Sequence, residues 1–297
     1  MRQFMVYAPA KLNLYLDVLE KRRDGYHTIE TLFEKIDLKD EILIKEKASG
    51  VEVRVEPLNS CPSGKQNIAY KAIQTLFEAR NVKIGLDVVI KKKVPVSAGL
   101  GGGSSDAASV LRGLNEQLEL GLSPERLFSI AVQIGKDVPF FMLDKAFAIG
   151  KGAGEILEPV NVDANFHHIV LKPNIALSTT EMYKRIDGSG VRARKSGIAK
   201  MISFLEQNDL ASLEKGYYNS FEDVLGSDAR EIKKAKDLLA NAAAAPGFLS
   251  GSGPSVFCTF KSMGEARDAL KRIPKERDID IFLATTYKGG IYGDNRS

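Results

Sequence analysis

Residues 95 to 111 read PVSAGLGGGSSDAASVL, with Gly99, Gly101, Gly102 and Gly103 packed into five positions. Each glycine costs backbone entropy on folding. The segment before it, IGLDVVIKKK, is rich in β-formers and reads as a strand. The segment after it, AASVLRGLNEQL, places Ala107, Ala108, Leu111, Leu114 and Leu118 on one side of a helix. One glycine would serve a strand-to-helix turn. Four predict a backbone that something else approaches closely.

The common nucleotide loops do not account for it. A Walker A loop needs Gly-Lys followed by Ser or Thr, whereas Gly64-Lys65, Gly135-Lys136 and Gly150-Lys151 are followed by Gln, Asp and Gly. A dinucleotide fingerprint beginning at Gly99 needs a sixth-position glycine and finds Ser104. What remains is general: the first amides of the following helix lack partners and attract anions. Ser97, Ser104 and Ser105 add hydroxyls. Ala107 stands where a capping-box acid would reach back to Ser104. These residues predict a phosphate site, with the lysines at 91–93 beside it.

The rest of the chain sets the frame. Strands are expected in QFMVYA, LNLYLDVLE, DEILIKEK, VEVRVEP, HIVLKPN and DIFLATTY, and a strand-turn-strand in FLSGSGPSVFCTF. Helices are expected over 67–80 with Asn67 as N-cap, over 122–135 with Ser123 as N-cap, and in IAKMISFLEQ, LASLEKGYY, AREIKKAKDLLANAAAA and GEARDALKRI. RIDGSGVRARKSG is expected to be a mobile loop, with 186–196 its moving part. The fold class is α+β, in two domains at 1–163 and 164–297. The net charge of +4 is mild. Cys61 and Cys258 read as free thiols in a cytoplasmic protein, and the three histidines show no metal-ligand spacing. His167 and His168 are expected at a strand edge or surface. No run of about 18 apolar residues or signal-peptide core occurs, so no membrane partner is expected.

Three segments together resemble the GHMP kinases: Ala8-Pro9-Ala10-Lys11-Leu12-Asn13-Leu14, the run from Pro95 through Ala108, and Ser250-Gly251-Ser252-Gly253-Pro254-Ser255. They stand in the family's order and span most of the chain. APAKLNLYLDV followed by RRDGYHTIETLF, with GKDVPFFM and NSFE, is similar to the members that phosphorylate a cytidine diphosphate conjugate of methylerythritol at its 2-hydroxyl, in non-mevalonate isoprenoid synthesis. The resemblance implies an N-terminal domain like ribosomal protein S5 domain 2, a C-terminal ferredoxin-like α/β sandwich, and a cleft between them. It implies ATP with Mg2+, a small-molecule acceptor, no nucleic-acid partner, no dedicated protein metal site, and a monomer or weak homodimer.

The resemblance also implies roles. Lys11 and Asp137 are the expected catalytic pair; read alone, Lys11 could be a snorkelling lysine and Asp137 a cap or Asx-turn. Pro95, Ser97, Ala98, Gly99, Leu100, Gly101, Gly102, Gly103, Ser104 and Ser105 form the expected ATP cradle. Asn67 and Lys92 are expected near the adenine, though they read equally as a helix cap and a solvated charge. Asn13, Tyr26, His27, Thr179 and Tyr183 are expected on the acceptor side. Gly251, Ser252 and Gly253 either support the cradle or form a tight turn. Two rivals stand beside this reading: a kinase for another small alcohol such as homoserine, and a non-catalytic RNA-binding protein.

Overall fold

The computed structural model describes residues 1–190 and 197–292. Its scaffold begins with two long antiparallel strands, β1 (Gln3–Lys21) and β2 (His27–Lys47). The two short strands expected near the start are one continuous β1, running through Pro9 and Lys11. Pro9 is accommodated because the pairing register shifts between Pro9 and Ala10. That shift also swaps the faces of the strand. Val6 and Ala8 enter one core, whereas Ala10, Leu12 and Leu14 enter another. Lys11 and Asn13 therefore fall on the same face as Phe33, which packs in the first core.

The first sheet continues with β3 (Val51–Glu56), which follows the hairpin. Next come α1 (Ile68–Arg80), β4 (Gly85–Lys91), α2 (Gly102–Gln117), α3 (Pro124–Ile134), α4 (Val138–Met142), β5 (Phe147–Lys151) and β6 (Ile156–Val160). The sheet order is β3-β4-β2-β1, with β5 pairing to β2 and β6 to β5. The expected caps hold: Asn67 accepts from Ala69 N and Ser123 from Arg126 N. Helix α2 starts earlier than expected, at Gly102, so two of the glycines belong to its first turn. Its small residues let it sit close to the sheet; a Cβ on Gly113 would lie 2.7 Å from Val6 Cγ1.

The second half adds β7 (His167–Pro173), α5 (Thr179–Ser189), α6 (Ile198–Glu206), α7 (Leu210–Gly216), β8 (Tyr218–Asn219), α8 (Ala229–Ala243), β9 (Phe248–Leu249), β10 (Val256–Phe260), α9 (Met263–Arg272) and β11 (Ile279–Thr285). Its antiparallel sheet runs β11-β7-β10-β9. Of the stretch expected to be a mobile loop, residues 185–189 instead complete α5, and residues 191–196 lie outside the described residues.

The expected boundary at 163/164 falls between β6 and β7, but the halves are stitched together. Strand β8 pairs in parallel with Tyr15 and Leu16 of β1, and Tyr7 N donates to Ile291 O at 2.7 Å. His168, expected at an edge or surface, is instead fully buried in this seam. Its Nε2 lies 3.0 Å from Glu34 Oε1 and its Nδ1 3.2 Å from Thr259 Oγ1. A buried imidazole needs such partners, and Glu34, from the other half of the chain, supplies one. Cys61 and Cys258 are free thiols.

Candidate active site

The bare start of α2 is the centre of the site. Its N-cap is Gly101 at φ +70°, which offers no side chain, and its first turn contains no acid. The first helical hydrogen bond runs from Ser105 N to Gly101 O at 3.0 Å. The amides of Gly102, Gly103 and Ser104 therefore have no carbonyl within the helix. Gly99 is fixed by close approach: its φ is +76°, and a Cβ there would lie 2.1 Å from Ser250 O. Ser250 Oγ donates to Gly99 O at 3.2 Å, and Ser255 N to Ala98 O at 3.3 Å. The third glycine segment is thus both a tight turn, closed by Gly253 N to Ser250 O at 3.0 Å, and the support of the loop.

Two expected cradle residues face away from the cleft. Leu100 is buried in the core, and its carbonyl accepts from Lys11 N at 2.9 Å. Ser105 is fully buried, and its amide is spent inside the helix. The serine on the cleft wall is Ser104, together with Pro95, Ser97, Ala98 and Gly99 and the glycines at 101–103.

Lys11 and Asp137 line the same cavity, of about 1050 Å³. Lys11 is buried, with its ammonium on Asn13 Oδ1 and 5.6 Å from the Phe33 ring centroid. Burial lowers its pKa, and the Asp137 carboxylate works against that shift. No direct ion pair joins the two. Asp137 stands at the N-cap position of α4, yet its side chain makes no capping bond. Its carboxylate faces the cavity instead. Asn13 is buried between Lys11 and Thr31, donating Nδ2 to Thr31 Oγ1 at 2.8 Å. Its amide orients the ammonium.

Lys92 is not the solvated charge that its lysine run suggested. Its ammonium lies 2.5 Å from Asp40 Oδ2 and 2.8 Å from Asp106 Oδ2, with all three side chains nearly inaccessible. Burial opposes the charge on Lys92, but the two carboxylates outweigh it and raise its pKa. Burial pushes the Asp106 carboxyl well above the usual range despite Lys92, and Asp40 adds to the rise. Asp106 Oδ1 has no hydrogen-bond partner among the described residues, and Asp106 reaches the cavity wall. Asn67 also lines the cavity, but both ends of its amide are committed, to Ala69 N and Pro62 O.

The far end of the cavity is aromatic. Tyr26 is half exposed, with the Lys136 ammonium 4.9 Å from its ring centroid. His27 is buried and stacks on Tyr183 at 4.6 Å and 16°. Tyr183 in turn meets Phe221 edge-on at 5.0 Å. Thr179 Oγ1 lies 2.8 Å from Ser252 Oγ. Sequence reasoning missed Lys136, Phe221 and Asp187 at this end, and Asp106 beside Lys92, among the residues that line the cavity. Phe221 lies in NSFE and Lys136 in GKDVPFFM, so both stood in text already singled out.

The chain matches the family model for the GHMP kinases N terminal domain over residues 67–145 and that for GHMP kinases C terminal over 201–278. It is similar to the 4-diphosphocytidyl-2-C-methyl-D-erythritol kinase of Alkaliphilus metalliredigens, 37% identical over 92% of this chain and 93% of the relative. The enzyme of that name from Geobacter metallireducens is 39% identical over 94% of this chain and 96% of the relative. Among solved structures, a 4-(cytidine 5'-diphospho)-2C-methyl-D-erythritol kinase superposes with TM-score 0.79 at 29% identity, covering 95% of this chain and 98% of that one. Homoserine kinase from Cytophaga hutchinsonii shares the fold, with TM-score 0.74 at 16% identity over 97% and 96% of the two chains. With full-length relatives and both family domains in place, the chain belongs to the GHMP kinases, in the family of the 4-diphosphocytidyl-2-C-methyl-D-erythritol kinases.

Proposed function

We propose that this chain transfers the γ-phosphoryl group of ATP to the 2-hydroxyl of 4-diphosphocytidyl-2-C-methyl-D-erythritol, giving ADP and the 2-phosphate. One observation carries the mechanism: Lys11, Asp137 and the uncapped start of α2 share one cavity.

Phosphoryl transfer asks for positioning and charge compensation rather than covalent help. The free amides of Gly102, Gly103 and Ser104, at the positive end of a 16-residue helix, hold the phosphate tail. The Lys11 ammonium, aimed by Asn13, compensates charge on the moving phosphoryl group. Asp137 orients the acceptor hydroxyl and takes its proton as the new oxygen–phosphorus bond forms and the bond to ADP breaks. Asn13 acts on the acceptor side through Lys11. Asn67 and Lys92 shape the nucleotide wall: Asn67 caps α1, and Lys92 ties β4 to Asp40 and to Asp106 of α2.

Magnesium enters with ATP, as part of the substrate. No group of three or more His, Cys, Asp or Glu that could hold a metal occurs among the described residues. An ion that arrives on ATP takes most of its ligands from phosphate oxygens and water. Ser104 and the unpartnered Oδ1 of Asp106 are the residues that would complete its shell, and the ion would supply neutralisation of phosphate charge.

The base of the acceptor stacks on Tyr26, an interaction of about 1–3 kcal/mol, and presents its edge to His27. Thr179 and Tyr183 close that end from α5. No helix among the described residues is long and apolar enough to cross a membrane; a cytoplasmic monomer or weak homodimer acting on dissolved nucleotides completes the reading. A substrate panel tests it. Purified protein with ATP and magnesium should phosphorylate the cytidyl conjugate and leave homoserine and mevalonate untouched. Turnover of either alcohol without the conjugate would overturn the assignment.

A further inference from the structure

Thr31 of β2 is fully buried and does not line the cavity. The pairing of β1 with β2 shifts register a second time between Asn13 and Tyr15. The Thr31 hydroxyl spans that irregularity, touching Asn13 on one side and Tyr15 on the other. Its side chain has little freedom. Threonine is stiff at χ1, and its methyl sits over Gly150 of β5, where a Cβ would lie 2.9 Å from it.

The hydroxyl carries one hydrogen. That hydrogen goes to Tyr15 O at 2.6 Å, because a carbonyl can only accept. Toward Asn13 the hydroxyl oxygen can then only accept, and it does so from Nδ2 at 2.8 Å. The amide is thereby oriented with Oδ1 on its other side, where the Lys11 ammonium donates to it. Turned over, the amide would set its NH2 against the ammonium and its oxygen against a hydroxyl with no hydrogen left. Resting on the kinase reading above, we propose that Thr31 is a positioning residue for phosphoryl transfer: its hydroxyl fixes which way the Asn13 amide faces, and so holds the Lys11 ammonium charged and aimed. Thr31 touches no substrate. It acts through Asn13 on a lysine whose burial disfavours the charge and whose opposing carboxylate is Asp137.

The test uses the full chain as wild type, Thr31→Val, Thr31→Ala and Thr31→Ser. Valine keeps the shape and removes the hydroxyl. Alanine removes it without adding bulk, so a misfolded valine variant does not end the test. Serine keeps the hydroxyl. With ATP and the cytidyl conjugate, the variants without a hydroxyl should lose about tenfold in kcat, the worth of roughly one oriented hydrogen bond. Both KM values should stay near wild type. The alkaline limb of their kcat profile should move to lower pH by about one unit, because the ammonium has lost its fixed acceptor. Thr31→Ser should restore both. Nitrogen NMR of labelled lysine, with Lys11 assigned by its absence in Lys11→Met, should show the same downward shift without turnover. A merely structural role would lower the melting temperature and leave the limb in place. An unmoved limb and an unmoved Lys11 titration in the variants without a hydroxyl, whatever their kcat, overturn the inference and leave the kinase reading intact. A wild-type chain inert toward the cytidyl conjugate overturns the kinase reading, and the lysine titration still decides the role of Thr31.

Discussion

Two helix starts in this molecule answer the same physical problem in opposite ways. Helix α9 closes its own N-terminus: Ser262 accepts from Glu265 N, and the Glu265 carboxylate accepts from Ser262 N. Helix α2 has neither side chain, with a glycine cap and two glycines in its first turn. Both ends carry the same unpaired amides and the same partial positive charge. The first spends them on stability. The second leaves them exposed beside a buried lysine and an uncapped aspartate, in a cavity large enough for two substrates. Leaving the end bare costs stability, which a phosphate tail seated there, as proposed above, would recover on binding.

The contrast can be broken from either side. The largest effect is expected from Gly103→Asp, because a Cβ there meets only Ile68 Cγ2 at 3.5 Å, so the new side chain fits. Its carboxylate would occupy the helix end and oppose phosphate. ATP affinity should fall about tenfold or more, while thermal stability rises by a few tenths to about 1 kcal/mol. Titration of ATP alongside a melting curve checks both. Loss of stability together with intact ATP binding would mean that the end of α2 is not the phosphate site. A smaller effect is expected from Ser262→Ala. Removing half of the capping box should cost about 1 kcal/mol of stability in a denaturant series, with kcat and both KM values unchanged.

Legibility in the sequence followed the range of the forces involved. Local signals were readable: Asn67 and Ser123 as caps, alternation in the strands, Gly135 as the stop of α3. Features decided by distant residues were not. Nothing near Pro9 reveals the register shift that sends Lys11 to the cavity face, because the partner strand supplies it. Lys92 sits in a run of three lysines that reads as solvated, yet Asp40 and Asp106 reach it from other elements. Leu100 and Ser105 carried the composition of the cradle but point into the core and the helix interior. His168 needed Glu34, 134 positions away, to make sense as a buried imidazole. Asp187 lay in polar, glycine-rich text, and only the helix that Thr179 begins brings it to His27. The catalytic assignments owed more to the resemblance than to local chemistry, since Asp137 alone reads as a cap and only the structure shows its carboxylate unused for capping.

The most direct measurement is Asp137→Asn, scored for ATP binding and turnover on one preparation. The exchange keeps the side chain's size and removes its charge and basicity. If a single cleft seats phosphate at α2 and the acceptor hydroxyl between residues 11 and 137, binding of a non-hydrolysable ATP analogue should stay near wild type, and turnover of the cytidyl conjugate should fall by about 10²–10⁴. Turnover near the wild-type rate would contradict the account.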